Sequence, residues 1–113
     1  MFFNRRKRYN GDVSALLAAF GFDMQESGTM KTLGILDHAW ADNYSIYEAA
    51  LVVAYGFAFG LYENKEIQRA DQLAQDRLKP IQADWIKKGI VRPQLMEQFA
   101  KRLEERMAMA RKS

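Results

Sequence analysis

Cysteine is absent from this chain. Disulfides, thiolate nucleophiles, iron–sulfur clusters and cysteine-ligated zinc are therefore excluded. Proline occurs twice and glycine seven times in 113 residues. Long stretches thus carry no breaker, which favours helices over a many-turned β protein. Histidine occurs once, at His38. A metal site needs about three or four converging ligands, and neither HExxH nor ExxH spacing is present. Serine is confined to Ser14, Ser27, Ser45 and Ser113, none in a nucleophile-elbow pattern. No glycine-rich phosphate loop followed by lysine and a hydroxyl residue occurs. The start, MFFNRRKRYNGD, sets its charges against polar residues rather than an apolar core, unlike a secretory signal. These absences favour a non-enzymatic protein, without metal or cofactor, in the cytoplasm.

What the chain has is an apolar run from Tyr44 to Tyr62, YSIYEAALVVAYGFAFGLY, with Glu48 as its only formal charge. From Ala49 to Tyr62 there are 14 uncharged residues. A membrane span needs roughly 20 and runs of ~10–14 are more often buried core helices. The flanks also lack the Lys/Arg cluster that sets orientation. Gly56 and Gly60, at i and i+4, and the tyrosines at the run's ends would suit a membrane helix. They equally suit close helix contact and a buried helix with wet hydroxyls. A buried helix is the reading adopted, and a membrane partner is not expected.

The net charge of +3 hides an uneven distribution. Residues 1–10 carry four cations and no acid, residues 11–63 carry Lys31 against seven acids, and residues 64–113 carry twelve cations against seven acids. Packing of the basic second half beside the acidic first half is the simplest account. A basic surface for an anionic partner is the other.

Hydrophobic spacing sets the elements. Residues 1–11 read as a basic N-terminal arm and 12–113 as a single helical domain. Asp12 is a candidate N-cap for a short helix with Val13, Leu16, Leu17 and Phe20 on one face and Gly21 at its end. A second helix starts near Ser27 or Thr29, with Met30, Leu33, Leu36 and Trp40 as its stripe. Ser45 and Glu48 form a capping box that opens the apolar helix. A break near Glu63 and Asn64 is preferred to one helix over 45–78, which would be long for a small domain. Pro80 is expected to interrupt the next helix, and Gly89 to end a short one. Pro93 occupies a natural first helical position, followed by Met96, Phe99, Ala100, Leu103, Met107 and Ala110. The expected fold is all-α: about five helices around a central apolar helix at 45–62.

Candidate sites are few. His38, with Asp37 beside it and Asp42 one turn on, reads as a histidine near a helix C-terminus, where its charge is favourable. Glu48 at the mouth of an apolar helix could serve acid–base chemistry, but the capping box already accounts for it. Tyr47, Tyr55, Phe57, Phe59 and Tyr62 could line a pocket for a flat ligand; aromatic spacing of this kind is more often core. Arg5, Arg6, Lys7 and Arg8 are the sharpest surface feature. Lys101, Arg102 and Arg106 would extend it if the chain ends meet. Gly56, Gly60, Phe57 and Met107 are the candidate interface of a homodimer or other homo-oligomer. The expected function is a protein–protein interaction module that self-associates through helical faces and binds an acidic protein partner. One alternative is a nucleic-acid-associated accessory protein using the basic termini, though nothing resembles a helix-turn-helix. Another is a peripheral membrane protein inserting Phe2 and Phe3.

Overall fold

The computed structural model describes residues 2–22 and 29–112, with side chains at 5–22, 32 and 34–112. Met30 and Leu33 of the expected stripe, and the side chains of Phe2 and Phe3, lie outside the described set. The elements are α1 (Phe2–Leu17), continued by a 3₁₀ turn (Ala18–Phe20), α2 (Thr29–Ala41), α3 (Ile46–Glu63), α4 (Ile67–Leu73), a π-helical segment (Ala74–Leu78), α5 (Lys79–Lys87) and α6 (Pro93–Lys112). The fold is an all-α bundle around α3.

Four of the stops share one device. Gly21, Asn43, Lys65 and Gly89 each have positive φ, at 79°, 58°, 63° and 73°. At each, the amide of that residue and the next reach back across the last turn, as in Gly89 N to Ile86 O at 3.0 Å and Ile90 N to Trp85 O at 3.1 Å. This Schellman arrangement satisfies carbonyls that a helix end leaves unpaired. Gly21, Gly89 and the turn at Asn43 are legible by residue type. Lys65 is not, because a side chain disfavours the left-handed region. The preferred break after Glu63 is nonetheless present.

The other helices surround α3. Tyr9 of α1 donates its hydroxyl to Tyr44 O at 3.0 Å, and Phe22, beyond α1, stacks on Phe57 with centroids 4.2 Å apart. Arg92, before α6, meets Glu48, and Arg106 meets Glu63. Both α1 and α6 therefore run parallel to α3. The Tyr62 hydroxyl donates to Asp71, the Tyr55 hydroxyl to Gln82, and Tyr47 packs edge-on to Trp85. So the rod of α4, π segment and α5 runs antiparallel, as α2 does, with Trp40 near Tyr9 and Ile35 against Gly56. One buried cluster runs through all of these elements. The Arg92–Glu48 and Arg106–Glu63 pairs join the basic second half to the acidic first half, as the charge distribution suggested.

Two expectations are corrected. Residues 1–11 are not an arm set apart from the domain: from Phe2 on they are the first turns of α1. Tyr9, Val13 and Leu17 fall at i, i+4 and i+8, and all three are buried. The ring of Tyr9 packs edge-on to Trp40, 5.1 Å away. This contact carries the helix through Gly11, where the sequence suggests a start at Asp12. Nothing lies within 4 Å of where a Gly11 side chain would begin. Gly11→Ala is therefore expected to stabilise the fold by about 0.5–1 kcal/mol, since glycine is poor in a helix interior. No change in the urea midpoint would mean that this turn is not helical in solution.

Pro80, secondly, does not interrupt the rod. The backbone stays in the right-handed helical region at Leu73, Ala74, Leu78 and Lys79. The Lys79 amide instead donates to Ala74 O, five residues back. That widened turn relieves the clash a proline ring makes with the preceding turn of an α-helix. Pro80 then falls in the first turn of α5, where its missing donor costs least.

Candidate functional site

The widened turn also shapes the surface. Beside it lies a half-open cleft of about 570 Å³. Phe20 and Ala19 from the 3₁₀ turn, Phe22, Leu61 of α3, Leu73 of α4 and Ile81 of α5 form its apolar floor and walls. Arg69, Gln72, Asp76 and Arg77 form the polar rim. Residues 69, 72, 73, 76 and 77 follow ordinary helical spacing. A regular helix would bring residue 80 next to this face. The π turn inserts one residue, so Ile81 takes that place and Pro80 turns outward. Phe20 is held edge-on by Trp85 at 6.0 Å, and Phe22 is stacked on Phe57, so the floor is a packed surface.

The two arginines are placed differently. Arg69 is held by Glu66 at 2.8 Å. Arg77 makes no ion pair and no hydrogen bond among the described residues. Its guanidinium lies against Gly21, 3.4 Å from where a side chain there would start. The positive φ of Gly21 favours glycine there, and a side chain at this position would only touch the arginine at ordinary contact distance. The carbonyl end of α1 beside it favours the positive charge.

The residues singled out by sequence do not converge. Arg5, Lys7 and Arg8 are exposed on α1, and Arg6 is paired with Asp37 of α2. Arg102 lies over Phe99, with 5.1 Å to the ring centroid, and Arg106 over Phe59, with 4.1 Å. Lys101 is exposed. The α1 cluster sits beside the start of α3 and Arg106 beside its end, so the length of α3, roughly 27 Å for 18 residues, separates them. The chain ends do not build one patch. Gly56 is filled from within the chain, with Ile35 Cδ1 only 3.0 Å from where its Cβ would be, whereas Gly60 faces open space. Phe57 is stacked on Phe22, and Met107 packs at the edge of the core.

Glu48 is 3% exposed and committed on both oxygens. Its Oε1 accepts from the Ser45 amide at 2.9 Å, completing the capping box, and from Arg92 Nη2 at 3.2 Å. Its Oε2 accepts from the Arg92 amide and Nε, both at 2.8 Å. Burial alone would raise this carboxyl. The bonds from Arg92 and Ser45 outweigh it and hold the group below its ordinary value. A carboxylate so bound is poorly suited to proton transfer near neutral pH. His38 is solvated, with Nδ1 4.0 Å from Asp42. No cluster of metal-ligating side chains occurs among the described residues.

The tyrosines are core rather than pocket. Burial pushes the Tyr55 hydroxyl up to about 12, against the lowering effect of its bond to Gln82. It pushes Tyr9 to about 12, helped by the charge of Glu48. Tyr62 is also raised, by burial and by donating to Asp71, which in turn meets Arg111 at 2.5 Å. A phenol raised in the folded state favours folding below its unfolded value near ~10 and loses that contribution as pH rises toward the folded one. Ultraviolet titration is expected to show a fraction of tyrosine that ionises only as the chain unfolds above about pH 11. Smooth titration of all five near ~10 would contradict the burial described.

Over Ile46–Glu63 the mean hydropathy is 1.2, long and apolar enough for a membrane span by composition. Within the bundle 56% of it is buried, as in a core helix. Comparison with protein-family models, curated proteins and solved structures finds no match for this chain.

Proposed function

We propose that this chain is a non-enzymatic protein–protein interaction module of the cytoplasm, and that the cleft at the π turn receives a segment of its partner. The single observation that carries this reading is the cleft itself, lined by four helical elements, with the partly buried Phe22, Leu61 and Ile81 set among the polar side chains of one rod. Small-molecule sites enclose most of their ligand, whereas this cleft lies open on one side. An open cleft of mixed lining suits a protein segment laid along it. The exposed Arg5, Lys7 and Arg8 add a long-range field that speeds encounter with an acidic surface.

Self-association belongs to the same proposal in a narrower form. Gly60 and the half-buried Phe59 and Met107 remain available for a second copy. Gly56 and Phe57 are used inside the chain. The nucleic-acid reading is weaker, because its two basic clusters lie at opposite ends of α3.

The test is a photo-crosslinking residue placed at Gln72, on the rim, with exposed Gln94 on α6 as control. A single protein adduct formed from position 72 in the cells that express the chain, absent from 94 and lost with Leu61→Glu, supports the reading. No adduct at 72, or adducts removed by nuclease, would overturn it.

A further inference from the structure

We propose that the first turns of α1 dock end-on onto an anionic lipid bilayer, with Phe2 and Phe3 entering the interface and Arg5, Lys7 and Arg8 lying among the headgroup phosphates. The contact is made at the membrane surface, and α3 stays in the core of the bundle.

The fold leaves the charge of this region open. Arg92, Arg106 and Arg111 each meet an acid on another element, and Arg6 meets Asp37. Arg5, Lys7 and Arg8 are exposed and make no ion pair or hydrogen bond among the described residues. Asp12, the nearest acid along the helix, forms no ion pair with Arg8. The helix itself does not favour these cations. Its first turns carry the positive end of the macrodipole, and Arg5 and Arg8 are like charges three residues apart. No acid occurs in the first turn of α1 to offset them. An anionic surface relieves an arrangement that is unfavourable in the free chain.

The geometry selects the kind of surface. Four consecutive residues cover the circumference of a helix in steps of roughly 100°. Residues 5–8 therefore form a cationic collar around α1, with Arg6 turned to α2. A nucleic acid strand or an extended peptide follows one side of a helix and would leave part of this collar in solvent. A bilayer entered end-on supplies headgroups on every side. Phe2 and Phe3 stand ahead of the collar, in the first turn. Interfacial binding grows with apolar area inserted and with basic charge held at the anionic headgroups, and this stretch provides both in the right order along one axis.

The reach also fits. Tyr9 donates to Tyr44 O just ahead of α3, so residues 2–8 run past the start of α3 by about 10 Å, at ~1.5 Å per residue. Interfacial helices bury their apolar side to roughly 5–10 Å. Of the acids at this end, Asp37 is taken by Arg6 and Glu48 by Arg92. Asp42, beside His38, is left against the three cations of the collar.

The absence of cysteine makes the test direct. Asn4→Cys and Gln98→Cys, each labelled with the fluorophore NBD, are mixed with vesicles of phosphatidylserine in phosphatidylcholine and with vesicles of phosphatidylcholine alone. The label at position 4 is expected to brighten and shift to the blue with the anionic vesicles only, and the label at position 98 to stay unchanged. Flotation of the unlabelled chain with anionic vesicles should weaken at least about tenfold in Arg5→Glu/Arg8→Glu, since each basic residue near an anionic leaflet is worth roughly a factor of five. Phe2→Ser/Phe3→Ser should weaken it about tenfold as well. Lys101→Glu/Lys112→Glu makes the same change in net charge on α6 and should float like the parent chain. Arg5→Glu/Arg8→Glu should melt no lower than the parent, because acids suit a helix N-terminus; this separates loss of binding from loss of fold.

No flotation, an equal loss in Lys101→Glu/Lys112→Glu, or a position-4 label that ignores the vesicles would overturn the proposal. So would a position-4 label that responds to a single-stranded oligonucleotide or to polyglutamate at a salt concentration where anionic vesicles leave it unchanged. None of these readouts involves the cleft, so the docking reading stands or falls separately.

Discussion

Tyr55→Ala is expected to lower stability by about 3–5 kcal/mol, the range for removing a large aromatic from a packed core. Tyr55 is 1% exposed. Its ring centroid lies 6.0 Å from Phe59 on its own helix and 5.7 Å from Phe99 on α6. Its hydroxyl donates to Gln82 of α5 at 2.5 Å. One side chain therefore joins α3 to both the α6 and the α5 sides of the bundle. The helices around it cannot close over the gap without shifting α6 along α3, and the Glu48–Arg92 and Glu63–Arg106 contacts oppose such a shift. Total stabilities of small domains are about 5–15 kcal/mol, so this change alone can unfold the chain. Tyr55→Phe separates the terms: it keeps the ring and removes the hydroxyl, and Gln82 is only half-buried. Its cost should stay near ~1 kcal/mol. Urea denaturation of the two variants tests this; equal, small losses would mean that Tyr55 is not a core residue.

Glu48→Ala is expected to cost about 2–3 kcal/mol. Loss of a capping interaction contributes about 1 kcal/mol. Loss of the charge-assisted bonds contributes ~1.5–3 kcal/mol, taken near its lower end because the Arg92 side chain is 59% exposed and water screens the pair. Glu48→Gln keeps a group able to complete the box and should cost less. The pH dependence gives a second readout. A carboxyl held below its unfolded value stabilises the fold above that value, and the contribution disappears as pH falls through the folded one. Wild type should therefore lose stability on acidification below about pH 4 more steeply than Glu48→Gln. Parallel pH profiles would show that the Arg92 contact adds nothing.

Much of this fold can be read along the chain because its determinants are local. The Ser45–Glu48 box needs only a spacing of three. Pro93 and Gly89 mark helix ends by what their backbones can and cannot do. The stripes Val13–Leu17–Phe20 and Met96–Leu103–Ala110 repeat at helical period, and each proved buried. The reach of α1 back to Phe2 was less legible, because Tyr9 extends the stripe of Val13 only once Trp40 of α2 supplies a partner. Pro80 misled for a similar reason. A proline's local rule favours a break, and the rod's packing on α3 favours continuity; an extra residue in one turn satisfies both.

The cleft was not legible at all. Phe20 and Leu61 are apolar residues at ordinary core positions, and Arg69 and Arg77 look like two of twelve cations in a basic half. Only Gly21 hinted at it, as a helix stop. The sequence by itself determined the helices, their caps, the apolar centre and the absence of cysteine chemistry, since each depends on residues within a few positions of one another. Tertiary structure decided which faces meet, where the widened turn falls and which acids the arginines Arg6, Arg92, Arg106 and Arg111 reach. Those outcomes depend on side chains more than fifty residues apart, such as Phe20 and Arg77, and no local pattern encodes the angle at which two helices cross.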